Sequence, residues 1–161
     1  MHKAMLTAVT LLFAGGALVD QATPAPQQAL QWGPAPPVFA AGAQMAVVSG
    51  DPSKPGKFAI QLKMPDGYKI MPHFHPTAEV VEVKSGTFMY GMGDVMKAED
   101  MKPLAVGKSV DIPATMHHFA MAKGETIVQV NSTGPFALTY VNPADNPMKA
   151  APAAKPSAGG H

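Results

Sequence analysis

The central part of this chain alternates apolar and more polar residues with a period of two. In the run 57–63, Phe58, Ile60 and Leu62 are separated by more polar neighbours. Side chains two positions apart share a face of a β-strand, so this alternation predicts a strand with one buried face. Similar short runs recur with Gly, Pro and Asp between them, which predicts an all-β sandwich or barrel. The predicted strands are 45–49, 57–63, 79–84, 87–90, 108–112, 126–130 and 136–141, with a helical turn predicted only at 95–101.

The ends of the chain lack this alternation. Residues 1–22 combine a basic start, a short apolar run and small residues, which predict a signal peptide and a periplasmic or secreted protein. The run is too short to span a bilayer stably, so no membrane span is expected after processing; a retained N-terminal helix or anchor is the alternative. Residues 23–42 predict a Pro/Ala-rich extended segment, and residues 143–161 a disordered Pro/Ala-rich tail. A single β-barrel domain, 43–142, lies between them.

Two residue types are missing, and each absence argues against a class of function. All twelve basic residues of the Lys and Arg total are lysine. Because arginine is the preferred bidentate partner of phosphate and guanine, no nucleic-acid partner is expected. The chain also has no cysteine, which excludes disulfides, thiolate nucleophiles and zinc–thiolate sites.

Four of the six histidines form two clusters in the predicted domain. Residues i and i+2 of a strand point to the same face, so His73 and His75 can converge on one point. Glu79 begins the next predicted strand, and a third imidazole would come from the second cluster. Neighbours in a strand face opposite sides, so only one of His117 and His118 can join the others. Such a mixed nitrogen and oxygen set suits one divalent Fe, Mn, Cu, Ni or Zn ion; the alternative is surface histidines without a metal.

The spacing around these histidines resembles that of a known family. Residues 67–86 follow the pattern Gly-x5-His-x-His-x3-Glu-x6-Gly, which is the first conserved motif of the cupin superfamily. The second motif of that family is Gly-x5-Pro-x-Gly-x2-His-x3-Asn, and residues 107–122 keep its first glycine, its proline and its histidine. Thr115 replaces the second glycine, at a position that favours a positive φ, and Ala122 replaces the asparagine.

The chain therefore resembles the small single-domain cupins of type 2 that bacteria export. The resemblance implies a double-stranded β-helix, the jelly-roll barrel of the cupins, with a divalent metal ion held in its mouth by His73, His75, Glu79 and His118. His118, and not His117, matches the second motif. The family's asparagine is not a metal ligand, so its replacement leaves this set intact. The resemblance also implies a homodimer.

The resemblance leaves the reaction open, because such sites support dioxygenases, oxalate-degrading enzymes, isomerases and sugar-acid enzymes. The predicted barrel lining is apolar, which favours a dioxygenase-like oxidoreductase acting on a small aromatic, phenolic or diketone substrate. Tyr90 is a candidate acid or orienting donor, with packing as the alternative. The residues predicted to line the barrel are Met64, Ile70, Phe88, Tyr90, Val110, Ile112, Ala120 and Val128.

The second class of function is a protein that binds a metal or small ligand without catalysis, as a sensor or carrier. Met71 and Met116 each precede by two residues a histidine of the candidate site. Because thioether and imidazole together favour copper, this class includes a copper-binding protein. The alternative for the methionines is filling of irregular gaps in the core.

Overall fold

The computed structural model describes residues 29–149, which form a curled antiparallel sheet. Its strands are β1 (Gly33–Pro34), β2 (Gln44–Ser49), β3 (Gly56–Met64), β4 (Lys69–Phe74), β5 (Glu79–Met92), β6 (Lys102–Leu104), β7 (Ser109–Ile112), β8 (His118–Gly134) and β9 (Thr139–Tyr140). The helical elements of this range are two 3-10 helices, Ala98–Asp100 and Pro143–Asp145. Among the described residues, no helix has the length and apolar character needed to cross a membrane.

Two long strands, β5 and β8, organise the sheet. β8 pairs with β4 near its start, with β3 near its end, and with β5 on its other side, always antiparallel. β5 also pairs with β6 and β7, while β2 extends the sheet from β3. Because both long strands have neighbours on each side, the sheet curls round into a double-stranded β-helix. The predicted all-β fold is confirmed.

β5 joins two runs that the sequence predicts as separate strands, 79–84 and 87–90. Its register against β8 shifts on either side of Ser85, and the next residue, Gly86, has φ 75°. A side chain at Gly86 would collide with the backbone carbonyl of Glu125, so only glycine fits this position. The break between the two predicted strands is therefore a bulge within one strand.

The inward faces of β3, β5 and β8 form the core. The face predicted to be buried in β3 is buried, since Phe58, Ile60 and Leu62 are all in the core; on the other face Lys57 is exposed, but Ala59 is also buried. Phe58, Ile60 and Leu62 belong to one apolar cluster with the inward valines of β5 and β8. Burying each of them contributes about 1.5–3 kcal/mol, so the cluster supplies the main stabilisation of the barrel.

The structure contains strands that the sequence pattern does not predict. β4 contains Pro72 and β6 contains Pro103, which interrupt the pattern that indicates a strand. The first half of β8 was also not predicted, and β9 is shorter than the predicted run 136–141. The helical turn predicted at 95–101 is present as the 3-10 helix Ala98–Asp100.

The predicted signal peptide, 1–22, lies outside the described residues, as does the predicted tail from residue 150 onward. The predicted extended segment, 23–42, is described from residue 29 and includes the edge strand β1. This strand contains a proline and pairs only with β2, as the missing N–H of proline requires. Residues 143–149, at the start of the predicted tail, include the second 3-10 helix.

Candidate metal centre

The four residues predicted as metal ligands meet at one end of the barrel. His73 lies near the end of β4, His75 follows that strand, Glu79 begins β5 and His118 begins β8. His73 and His118 are direct cross-strand partners, so their side chains share the inner face of the sheet. All four residues are buried, with exposed fractions of 3–6%. The pairing of β4 and β5 with β8 thus gathers residues from distant parts of the sequence.

The three imidazoles form a close group. The ligand atoms of His73, His75 and His118 lie within 4.8 Å of one another. Glu79 lies beside the group, with its Oε1 3.1 Å from His118 Nε2 and its Oε2 3.6 Å from His75 Nε2. The structure therefore brings all four predicted ligands into one cluster.

Backbone carbonyls orient the three rings. Because a carbonyl oxygen only accepts, each Nδ1 donates its proton, and Nε2 of a neutral ring keeps its lone pair for a metal. The acceptors are Met71 O for His73 at 2.7 Å, Ala137 O for His75 at 2.7 Å and Met116 O for His118 at 2.9 Å. Met71 and Met116 thus serve the site through their backbones, and their side chains do not line its cavity.

Burial decides the protonation state of two of these histidines. Burial, reinforced by the neighbouring rings of His118 and His75, lowers the pKa of His73 well below its usual value. Burial likewise lowers the pKa of His75, against the opposing effect of the Glu79 carboxylate. His73 and His75 are therefore neutral at pH 7, which is the form that binds a metal.

The chemistry of these side chains fits a divalent metal ion. The Nε2 atoms of neutral rings and the Glu79 carboxylate are all acceptors, and they face one another across a buried space. A cation satisfies such a set, and mixed imidazole and carboxylate ligation suits Fe(II), Mn(II), Ni(II), Cu(II) or Zn(II). His73, His75, Glu79 and His118 would hold the ion.

The cavity at this centre is small and apolar. The space open to water-sized molecules is about 40 Å³, room for a few waters. Apart from the four candidate ligands, its lining consists of Phe39, Ile60, Leu62, Ile70, Val81, Phe88, Ile112, Ala120, Val128, Val130 and Phe136. The predicted apolar lining is thus present.

Some residues predicted for the lining lie elsewhere. Met64, Tyr90 and Val110 are absent from the cavity wall. Tyr90 instead stacks on Phe88, with ring centroids 6.4 Å apart and an interplanar angle of 11°. The hypothesis that Tyr90 acts as an acid or an orienting donor therefore has no support from its position.

His117 points away from the cluster. Its Nδ1 lies 2.6 Å from Asp94 Oδ1, and its ring stacks on Phe74 with centroids 5.0 Å apart. Its side chain is 37% exposed, whereas that of His118 is 4% exposed. His118 is therefore the histidine that joins the cluster, as the motif implies. Strand alternation requires that only one of the two neighbouring histidines faces the site.

Thr115 occupies the position where the second cupin motif has glycine. It adopts φ 62°, in the left-handed region that glycine favours. Its N–H donates to the carbonyl of His75 at 2.8 Å. The departure from the motif therefore leaves the turn in place, with a β-branched residue in a strained conformation beside the site.

Two phenylalanines of the cavity wall escaped the sequence prediction. Phe39 comes from the Pro/Ala-rich segment before β2, and Phe136 from the loop between β8 and β9. Two tyrosine hydroxyls hold the first segment on the barrel: Tyr140 donates to Val38 O at 2.8 Å, and Tyr68 to Ala40 O at 2.7 Å. The one feature of the sequence that could have indicated a buried role for Phe39 is an aromatic residue in a segment rich in proline and alanine.

The curled antiparallel sheet and the histidines at its mouth define a protein with the double-stranded β-helix fold of the cupins. KdgF from Halomonas sp. is similar, with a TM-score of 0.50 and 20% identity over 65% of this chain and 86% of that chain. A cupin 2 domain-containing protein from Halorhodospira halophila has a TM-score of 0.53 and 18% identity over 65% of this chain and 73% of that chain. The cupin fold is therefore confirmed. No protein-family model and no curated protein matches the sequence.

Proposed function

We propose that this chain binds one divalent transition-metal ion through His73, His75, Glu79 and His118 and uses it in oxidoreductase chemistry on a small molecule. The orientation of the three rings is the observation that carries the proposal. Each Nδ1 is engaged by a backbone carbonyl, and the ligand atoms of the rings converge within 4.8 Å. Side chains held in this way need little reorganisation to receive an ion.

The surroundings favour a dioxygenase-like reaction on an apolar, aromatic or diketone substrate. When bound, an iron or copper ion would supply redox and Lewis-acid chemistry at this position. The apolar walls, including Val81 and Ile112, exclude water and leave few polar partners for a sugar or a phosphate. Glu79 supplies a carboxylate at the edge of the cluster, where it can balance the charge of the ion.

A metal- or ligand-binding protein without catalysis is the second candidate. Apart from the four candidate ligands, the cavity lining has no titratable side chain among the described residues. A sensor or carrier needs no such group, whereas most proton-transfer reactions use one. A copper-binding protein belongs to this class.

Elemental analysis of the purified protein tests the metal site. We expect about one metal ion per chain, lost in His75→Ala because an imidazole ligand is removed. His117→Ala is the matched control, because that histidine lies outside the cluster, and it should keep full occupancy. Full occupancy in His75→Ala, or no metal in the unaltered protein after Fe(II), Cu(II) or Zn(II) loading, contradicts the proposal.

Oxygen consumption separates the two candidates. The Fe(II)- or Cu(II)-loaded protein is supplied with small phenols, aromatic compounds and diketones, and dissolved oxygen is recorded. Uptake that depends on both metal and substrate supports the oxidoreductase. Tight binding of such a compound without oxygen uptake or product supports the sensor or carrier.

We also propose export and dimerisation. The composition of residues 1–22 supports export, which fractionation of cells expressing the full chain tests against a variant without those residues. Val47 and Val48 are exposed on β2, beyond the two residues that pair with β1, and support a dimer, whereas Phe58 is buried in the core. Sedimentation of the protein and of Val47→Lys tests this surface.

A further inference from the structure

A second cavity, of about 260 Å³, lies beside the candidate metal centre. We name it the side cavity and define it by Val38, Met45 and Leu138, which form part of its wall, and by Ile60 and Phe136, which it shares with the cavity of the metal centre. Its wall contains no charged side chain among the described residues. The side cavity therefore suits an uncharged, apolar group.

The ring of Phe136 stands between the two cavities. Its centroid lies 5.2 Å from that of the His75 ring, on the side of the metal centre. It also stacks on Phe39 at 6.2 Å and meets Phe58 edge-on at 6.1 Å. Phe136 therefore belongs to the wall that the two cavities share, and rotation of its ring is the motion that would connect them.

The backbone on either side of this ring is held in place. The N–H of Phe136 donates to Pro52 O at 2.6 Å, and the carbonyl of Ala137 accepts from His75 Nδ1 at 2.7 Å. These two hydrogen bonds fix the backbone beside Phe136, so rotation of its side chain would need no displacement of the loop. The same loop orients one candidate metal ligand and lines the side cavity through Ala137 and Leu138.

We propose that the side cavity binds the apolar body of a ligand whose oxygen-donor end reaches the metal centre past Phe136. This inference rests on the proposed function and names the ligand class, a single aromatic ring or branched aliphatic group carrying a bidentate oxygen donor. About 40 Å³ at the metal centre is too little for a ring, since a cavity that holds benzene has a volume of about 150 Å³. The side cavity, at about 260 Å³, exceeds that volume.

Two hydroxamates that share a metal-binding end test the proposal on Zn(II)-loaded protein by calorimetry. Acetohydroxamate carries only a methyl group, whereas benzohydroxamate carries a ring. We expect benzohydroxamate to bind about tenfold or more tightly than acetohydroxamate because its ring enters the side cavity. Leu138→Trp, which fills the side cavity, should abolish this preference and leave acetohydroxamate binding unchanged. Val106→Trp, at an exposed position elsewhere, is the matched control and should keep the preference.

Metal-free protein provides an independent measurement with benzamide, which has the ring without the hydroxamate. We expect its addition to shift the methyl NMR signals of Met45 and Leu138 but not those of Val106. This experiment needs no variant, so a misfolded Leu138→Trp does not affect it. Absence of these shifts overturns the proposal.

Together, these measurements test the metal centre and the side cavity separately. Shifts with benzamide but no binding of either hydroxamate would refute the metal centre and uphold the side cavity. Equal binding of the two hydroxamates, unaffected by Leu138→Trp, would refute the side cavity and uphold the metal centre.

Discussion

Glu79 Oε1 lies 3.1 Å from His118 Nε2, and the other ring nitrogen of that histidine donates to the carbonyl of Met116. A neutral His118 therefore presents a lone pair to a buried carboxylate. Only a proton or a cation between these two atoms makes the contact favourable. A proton and a metal ion thus compete for the same position.

Metal affinity is expected to fall, with protons released on binding, once the pH is lowered below about 6.5, because burial lowers the pKa values of His73 and His75 beneath that ordinary value. Calorimetry with Zn(II) in buffers of different ionisation enthalpy measures both effects. Glu79→Gln should weaken binding by about tenfold or more, because the carboxylate leaves the donor set. Glu82→Gln, on the same strand but bonded to Lys84, is the control and should bind normally. Affinity that is independent of pH, or unchanged in Glu79→Gln, contradicts this competition.

The metal-free protein is expected to lose stability in acid. The pKa values of His73 and His75 are lowered in the folded state, mainly by burial, whereas in the unfolded chain they are about 6.5. Above that pH neither state binds a proton on these rings; below it the unfolded chain takes up protons that the folded chain excludes. The free energy of unfolding should therefore fall below about pH 6.5, by at most about 1.4 kcal/mol per pH unit for each histidine.

Urea unfolding at several pH values between 8 and 5, with a chelator present, measures this loss of stability. His73→Gln should flatten the dependence, because one of the buried rings is removed. His117→Gln, at a partly exposed ring outside the cluster, is the control for replacing a histidine away from the site. A flat profile in the unaltered protein would show that burial does not exclude protons from the site.

Sequence reasoning recovered the elements with clear alternation and the residues with fixed spacing. β3 follows from Phe58, Ile60 and Leu62, and the gathering of the four candidate ligands follows from the motif. β4 and β6 were missed because a proline interrupts each short strand. A short strand that is stabilised mainly by hydrogen bonds to a long neighbouring strand cannot be recognised from the residues of the short strand alone.

The wall of the site was harder to predict than the cluster of histidines. Phe39 and Phe136 reach the cavity from irregular segments, and tertiary hydrogen bonds such as that from Tyr140 to Val38 hold the first of these in place. Such bonds join residues far apart in the sequence, and neither periodicity nor spacing encodes them. The alternation of its strand predicts Tyr90 in the cavity wall, but its ring packs on Phe88, which occupies that wall instead.

Thr115→Gly is expected to stabilise the fold. Threonine at φ 62° costs about 1–3 kcal/mol, and glycine removes that strain at a smaller entropic cost of about 0.5–1 kcal/mol. The net gain should be about 1 kcal/mol in the free energy of unfolding, measured by urea denaturation. Thr133→Gly, at an exposed position in β8, is the matched control and should destabilise. A loss of stability in Thr115→Gly would mean that the threonine side chain stabilises this turn by more than the strain costs.

Tyr68→Phe is expected to loosen the segment that carries Phe39. The Tyr68 hydroxyl donates to Ala40 O at 2.7 Å, and its removal should cost about 1 kcal/mol at pH 7. Burial, with Tyr140 nearby, raises the pKa of Tyr68 to about 12, whereas in the unfolded chain it is about 10. The stabilisation by this group is therefore complete below about pH 10 and is lost as the pH rises toward 12, because the unfolded chain ionises first.

Absorbance titration of tyrosinate, with unfolding measured at each pH, tests this expectation. Burial raises the pKa of Tyr140 as well, so Tyr68→Phe should remove one of two late-ionising tyrosines, the one near pH 12, whereas Tyr90→Phe should keep both. The stability difference between the unaltered protein and Tyr68→Phe should shrink above about pH 10, because Tyr68 of the unfolded chain then ionises while the buried hydroxyl of the folded chain does not. If Tyr68→Phe has as many late-ionising tyrosines as the unaltered protein, Tyr68 does not donate from a buried position, and another contact holds Phe39 over the metal centre.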